Sequence, residues 1–155
     1  MRVAPLLLAA AALAVGPQRP AQADGAADVR TARRVILEIM GEGRSTGVGE
    51  IFAPGFVAHG ASANFTLEQD VAATLSWRTA IPDLRVSVER SVSGGGMVAL
   101  HWRASGINSV ALGELPGKGD RLGIEGMSMF RFRDGRIAEE WSVVDVATLR
   151  KQLAE

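Results

Sequence analysis

Residues 122–144 read LGIEGMSMFRFRDGRIAEEWSVV, a stretch in which apolar and polar side chains alternate on both sides of Asp134-Gly135. Alternation with a period of two predicts strands that each bury one face. An Asp-Gly pair between two such runs is typical of a β-hairpin with a tight turn. The sequence therefore predicts antiparallel strands over 122–133 and 136–144.

The register of this hairpin determines which side chains share a face, and the sequence leaves two alternatives open. A two-residue turn would place Ser128 opposite Trp141. A three-residue loop with a glycine bulge would instead place Ser128 opposite Glu140 and Gly126 opposite Ser142. The two registers turn opposite faces of the last strand toward the interior.

Upstream of this hairpin the same alternation occurs over 84–92 and 98–104, on either side of Gly94-Gly95-Gly96, which predicts a second hairpin. Before the strands, apolar residues spaced three and four apart predict a helix over 28–40 with Asp28 as its N-cap, and a short helical segment over 48–52. Thr66 and Gln69 form a capping box that begins another helix, which ends before Pro82.

After the strands, Asp145 is placed to cap a last helix. Helices followed by an antiparallel meander predict an α+β fold, with the helices packed on one face of a bent sheet.

Composition limits the classes of function. The chain has 155 residues, 47% of them apolar and 22% charged, which fits one domain. It has no cysteine and two histidines, so disulfides, thiolate catalysis and cysteine-ligated metals are excluded and we expect no metal site. Without the first 23 residues it carries 15 basic and 17 acidic side chains, which excludes a basic nucleic-acid-binding surface.

The N-terminus has the pattern of a secretory signal peptide. Arg2 precedes an apolar run over 5–15, and Ala21-Gln22-Ala23 has the small-x-small form of a cleavage site. The run is shorter than the ~20 apolar residues that a membrane span needs. We therefore predict that residues 1–23 are removed, that residues 24–155 are the mature domain, and that the protein is periplasmic or extracellular without stable membrane association.

Five segments together resemble one known family. They are FAPGFVAH at 52–59, IPDLRVSVE at 81–89, GELPGKG at 113–119, GMSMFRFRDGRIAEEW at 126–141 and LRKQL at 149–153. The chain resembles the SnoaL-like polyketide cyclases of the nuclear-transport-factor-2-like superfamily. The resemblance implies a cone-shaped, strongly curved antiparallel sheet wrapped by about three N-terminal helices, with a short C-terminal helix. It also implies an apolar pocket, no cofactor, and a homodimer formed through the outer sheet face.

The resemblance also implies where acid/base residues would lie. The cyclases have an aspartate immediately after the tryptophan-like position, where this chain has Ser142, and a histidine on the preceding strand, where it has Ser128. A serine hydroxyl cannot act as a base near neutral pH without a partner that takes its proton. Because the two family positions need a common face, the resemblance favours the bulged register.

In that register Glu140 points into the pocket, where desolvation would raise its pKa toward a value useful for proton transfer. The alternative for Glu140 is a solvated position, paired with Arg131 or Arg136. His59 is the second catalytic candidate, at the pocket mouth, and its alternative is a loop histidine that caps backbone groups. The side chains expected to line the pocket are Phe56, Trp77, Gly126, Ser128, Phe130 and Ser142.

Two functions follow from this pattern. The first is an exported pocket protein that binds a small apolar molecule, because serines occupy both family acid/base positions. The alternative is a cofactor-independent enzyme, such as a cyclase, isomerase or dehydratase, that performs general acid/base chemistry on a small carbonyl compound. Neither the sequence pattern nor the resemblance identifies the ligand.

Overall fold

A computed structural model describes residues 21–154, as four α-helices and six strands. The predicted signal peptide lies outside the described residues, apart from 21–23 at the start of the first helix. In chain order the elements are α1 (Ala21–Arg34), continued by a π-helix (Val35–Gly41), then α2 (Val48–Ile51), β1 (Phe52–His59), β2 (Asn64–Phe65), α3 (Leu67–Ala80), β3 (Arg85–Gly94), β4 (Met97–Ile107), β5 (Arg121–Arg133), β6 (Arg136–Val144) and α4 (Val146–Gln152).

The six strands form one curved, unclosed sheet in the order β2-β1-β6-β5-β4-β3. The predicted meander is confirmed, because β3 to β6 each pair antiparallel with the next strand. The sheet is not antiparallel throughout, since β1 pairs with β6 in parallel. The last strand of the meander returns beside β1 in the same direction, which places the end of β1 next to the centre of β6.

The helices confirm the α+β class, with one difference at the first helix. It begins at Ala21, so Asp28 lies inside α1 and is not its N-cap. The alanine-rich residues before Asp28 extend the helix upstream, because alanine has the highest helix propensity. The capping box is present at α3, where Thr66 and Gln69 bond each other's backbone N–H, and Asp145 caps α4. No helix among residues 21–154 is long and apolar enough to cross a membrane.

The β5–β6 hairpin combines a two-residue turn with a bulge. Asp134 and Gly135 have φ values of 53° and 74°, and Arg133 pairs with Arg136. An extra residue, Ala138, then shifts the register by one.

Beyond the bulge, Ser128 lies opposite Ser142, and Phe130 lies opposite Glu140. Both pairings predicted for Ser128 are therefore wrong, because the extra residue sits inside β6 and not in the turn. The common face expected for Ser128, Glu140 and Ser142 is nevertheless present. A bulge placed here changes the partners without moving these side chains to opposite faces.

The inner face of the sheet packs against the helices. Val98, Leu100, Ile124 and Phe130 are buried on the strands. The helical layer contributes Val35, Ile36, Ile39 and Met40, all from the π-helix. The buried side chains on the inner face of the sheet therefore belong to the same core as this helical layer.

Candidate functional site

One indole and two hydroxyl groups form a hydrogen-bonded chain that ends on a carboxyl group. Trp102 Nε1 donates to Ser128 Oγ at 3.1 Å, and Ser128 Oγ lies 2.7 Å from Ser142 Oγ. Ser142 Oγ donates to Glu140 Oε1 at 2.6 Å. Trp102, Ser128 and Glu140 are buried, whereas Ser142 is exposed. Both ends of this hydrogen-bonded chain, Trp102 and Glu140, are therefore buried, and the chain reaches the surface only at Ser142.

Glu140 is a buried acid with one unpaired oxygen. Glu140 is 7% exposed, and its Oε2 has no hydrogen-bond partner within the described part of the chain. Burial, the largest cause, and the negative charge of Asp70 together raise the pKa of Glu140 to about 8, and the hydrogen bond from Ser142 opposes both. The carboxyl is thus held in its neutral form at neutral pH, with one buried oxygen that makes no hydrogen bond within the described part of the chain.

Asp70 is the partner that sequence reasoning missed. It lies in the first turn of α3, half-buried, and burial raises its pKa to about 6. Between these two pKa values the pair holds one proton, on Glu140, and one negative charge, on Asp70. Asp70 shares a helix face with the apolar Leu67 and Val71, and an acid on such a face is the sequence signal that could have identified it.

Gly126 does not leave open space in the pocket, contrary to expectation. The indole of Trp102 lies directly over it, so that a Cβ at this position would come within 2.2 Å of Trp102 Cζ2. Gly126 therefore admits the tryptophan whose N–H begins the hydrogen-bonded chain. Its role is to let Trp102 approach the sheet, not to line a cavity.

The structure does not bring His59 to Glu140. His59 pairs with Trp141 on the opposite, outer face of the sheet, where the two rings stack with centroids 4.5 Å apart. Its Nε2 lies 2.8 Å from Glu139 Oε2, and Arg131 Nε binds the other oxygen of Glu139 at 3.1 Å. His59 and Glu140 thus cannot act on the same bound molecule from one pocket.

The remaining predicted pocket residues belong to the hydrophobic core or pack against it. Phe130 is fully buried next to Glu140, and Phe56 packs edge-on against Phe52 with centroids 4.7 Å apart. Trp77 is half-buried on α3 and packs against the core. The ion pair predicted as an alternative for Glu140 is instead made by its neighbour, since Arg131 binds Glu139.

A groove of about 570 Å³ crosses the outer face of the sheet. Its lining includes His59, Trp141, Met127, Met129 and Val143, and also Ser128 and Ser142 of the hydrogen-bonded chain. Met127, Met129 and Val143 are 54%, 41% and 67% exposed. This outer-face patch, defined by those three residues with Trp141, is apolar and separate from the inner face that holds Glu140.

No group of three or more histidine, aspartate or glutamate side chains among residues 21–154 is placed to hold a metal ion. The chemistry of the inner face consists of two carboxyl groups, two hydroxyls and an indole. These groups can exchange protons and hydrogen bonds with a bound molecule.

A curved, unclosed six-stranded sheet covered by helices defines the nuclear-transport-factor-2-like fold class. The sequence profile of the SnoaL-like polyketide cyclases matches residues 30–153, and the chain belongs to this family.

Solved structures agree with the fold. IdmH from Streptomyces antibioticus, a candidate polyketide cyclase, is 25% identical with a TM-score of 0.71, covering 83% of this chain and 99% of its own. A SnoaL-like protein from Jannaschia sp. CCS1 is 19% identical with a TM-score of 0.74, covering 90% and 98%. AclR from Streptomyces galilaeus, a candidate hydroxylase, is 19% identical with a TM-score of 0.73, covering 83% and 96%. No curated protein matches the chain significantly.

Proposed function

We propose that this protein is a cofactor-independent enzyme that performs general acid/base chemistry on a small, largely apolar carbonyl compound. One observation carries the proposal: a buried carboxyl, Glu140, has an unpaired oxygen and a second carboxyl, Asp70, close enough to raise its pKa. Two carboxyls whose environments separate their pKa values form an acid and a base in one site.

The pair supports proton transfer next to a carbonyl group. Asp70, charged above about pH 6, takes the proton from the carbon beside the carbonyl, and the electrons of that C–H bond form a C=C bond. The carbonyl oxygen receives the proton of Glu140, which is neutral below about pH 8. The enol formed in this way can isomerise, lose a leaving group or attack a second carbonyl within the same molecule.

A second candidate function is ligand binding without catalysis. Ser128 and Ser142, which we infer to occupy the family's two acid/base positions, bond each other at 2.7 Å. Neither hydroxyl has a base that would take its proton, since the carboxyl that Ser142 contacts is itself neutral at neutral pH. If the inner face binds an apolar carbonyl compound without turnover, Glu140 would serve as a hydrogen-bond donor to it.

Exchange of protons for deuterium separates these functions. A panel of small ketones in heavy water is incubated with the wild type, Glu140→Gln and Asp70→Asn, with Glu139→Gln on the outer face as the control. An enzyme catalyses exchange beside the carbonyl in the wild type and the control, and each site variant slows it by about 100 to 10,000-fold. Exchange that is equally slow in all proteins, with ketones still bound, would establish the binding function.

The pH dependence of that exchange provides a second test. Because activity needs Asp70 charged and Glu140 neutral, the rate should rise with pH through about 6 and fall through about 8. An exchange rate that rises with pH and does not fall above about pH 8 would contradict the role of Glu140 as the acid.

We also propose that the mature protein is an exported homodimer. The dimer is supported by the exposed, apolar outer-face patch, which an isolated domain rarely leaves uncovered. Export is supported by the signal-peptide pattern of residues 1–23. The intact mass of protein recovered from the periplasm or medium should correspond to a chain that begins at Asp24, and a full-length cytoplasmic product would contradict export.

A further inference from the structure

We propose that the hydroxyl of Ser142 is a proton relay that connects the buried carboxyl of Glu140 with solvent in the groove of about 570 Å³. Glu140 needs such a connection, since an acid that gives up its proton has to regain one before it acts again. The inference rests on the proposed function, because Glu140 is its acid, but its test needs no substrate.

The surroundings of Glu140 offer one hydrogen-bonded route within the described part of the chain. Glu140 is 7% exposed, and its Oε2 has no partner there. Its Oε1 lies 2.6 Å from Ser142 Oγ, a distance at which a proton can pass directly between the two oxygens. Protons therefore reach and leave the carboxyl through Ser142.

From Ser142 the route can continue inward or outward. Inward, Ser128 Oγ lies at 2.7 Å, but Ser128 is 2% exposed and its next partner is Trp102 Nε1 at 3.1 Å. An indole N–H donates and cannot accept, so a proton does not leave through it. Outward, Ser142 is itself exposed and lines the groove. The outward side is therefore the exit.

The relay moves two protons and leaves the serine neutral. When ionised Glu140 is reprotonated, a hydronium ion in the groove gives a proton to Ser142 Oγ and becomes water. The proton that Ser142 held passes to Glu140 Oε1, and the reverse order releases it again. A hydroxyl both donates and accepts, so neither order needs a charged serine or a fixed direction of the bonds at Ser128.

Rapid mixing into heavy water near neutral pH, followed by time-resolved infrared spectroscopy, measures the route. The C=O stretch of neutral Glu140 is identified as the band that Glu140→Gln removes. This band moves to lower frequency when deuterium replaces the carboxyl proton. In the wild type we expect a fast shift, because the proton is exchanged through Ser142.

Ser142→Val and Ser142→Thr form a matched pair. Their side chains have the same shape and suit a strand, but only threonine keeps the hydroxyl. Valine should abolish the fast shift, so that exchange waits for local opening of the fold, whereas threonine should keep it. The hydrogen bond that valine removes lowers the pKa of Glu140, so the carboxyl stays neutral and its band stays visible. Ser142→Ala replaces the valine variant if valine is not tolerated.

Ser128→Ala tests the direction of the exit. It removes the inward branch and leaves the contact between Ser142 and Glu140, so the fast shift should persist. Loss of the fast shift in this variant would place the exit at Ser128 and overturn the assignment to Ser142.

The outcomes separate the inference from the proposed function. Equally fast shifts in Ser142→Val and Ser142→Thr would overturn the relay and leave the acid in place. A wild type without any neutral Glu140 band at neutral pH would overturn both. A fast shift that only valine abolishes, together with absent ketone exchange in the wild type, would uphold the relay and reject the enzyme.

Discussion

Adjacent glutamates in β6 show how one residue of sequence separates two electrostatic environments. Glu139 faces outward and is paired with His59 and Arg131, whereas Glu140 faces inward and is buried without a cation. A buried carboxyl without a cation keeps its proton, because burial disfavours its charged form. The inner face therefore has a neutral acid only because successive side chains of β6 point to opposite faces of the sheet.

This difference makes a prediction about stability. Folded Glu140 keeps its proton up to about pH 8, whereas in the unfolded chain the carboxyl ionises near 4.5. Between these two pH values the folded state binds more protons than the unfolded chain. The contribution of Glu140 to stability is therefore fully present below about pH 4.5 and is lost as pH rises toward about 8. Glu140→Gln does not titrate and should be more stable than wild type at the alkaline end, by about 2 to 4 kcal/mol.

Urea denaturation at several pH values measures this difference. Glu139→Gln is the control, and it should show no alkaline gain because Glu139 lies on the outer face, where His59 and Arg131 pair with it. A Glu140→Gln protein whose stability follows wild type at every pH would show that Glu140 is not buried as a neutral acid.

Gly126 gives a second prediction for a single residue. Gly126→Ala would push a methyl group into the Trp102 ring, and overpacking of this kind costs about 1 to 3 kcal/mol. Gly123→Ala is the matched control on the same strand, since a Cβ there meets only Gln152 Oε1 at 3.9 Å. Equal unfolding free energies for the two variants would contradict the close contact between Trp102 and Gly126.

At the scale of elements, local sequence signals predicted the hairpin turn and the helix caps. The strand registers were not predicted correctly, because β-bulges shift them. Asp134-Gly135, the Thr66 capping box and the Asp145 cap each depend on residues a few positions apart, so the sequence shows them directly. The bulge at Ala138 has no local signature, because it depends on how two strands pack. Another bulge, after Val88, turns Val92 outward to 69% exposure, although its alternation placed it with Val86 and Val88.

The hairpin turn supplies a prediction for an element. Gly135 has a φ of 74°, which a side chain disfavours, so Gly135→Ala should destabilise the protein by about 1 kcal/mol. Gly94→Ala is the control, because Gly94 lies at the end of β3 without a positive φ and with nothing within 4 Å of an added Cβ. Chemical denaturation of both variants measures the effect, and equal stability would show that the turn does not hold the register.

At the scale of the whole molecule, the site depends on contacts that no single segment contains. The family resemblance predicted the curved sheet and the helical layer, and it placed Glu140 on the inner face because the family's two acid/base positions need a common face. Asp70 was missed because its relation to Glu140 exists only once α3 packs over the sheet. His59 was misplaced because parallel pairing of β1 with β6 puts it beside Trp141.

The proposed dimer makes a prediction about assembly. Met127→Glu places a charge in the outer-face patch and should convert the dimer to a monomer without loss of fold. Val110→Glu, at a loop position that is 51% exposed and outside the patch, is the control. Light scattering with size-exclusion chromatography reports the mass. A wild type that is already monomeric, or a Met127→Glu protein that stays dimeric, would reject this interface.

The central claim is that the inner face holds one neutral acid beside one charged carboxylate. An NMR titration of isotope-labelled glutamate carboxyls, with Glu140 assigned by its loss in Glu140→Gln, tests it most directly. We predict an apparent pKa for Glu140 of about 8, and a lower one in Asp70→Asn because the neighbouring negative charge is gone. Titration of Glu140 near 4.5, unaffected by Asp70→Asn, would contradict the account.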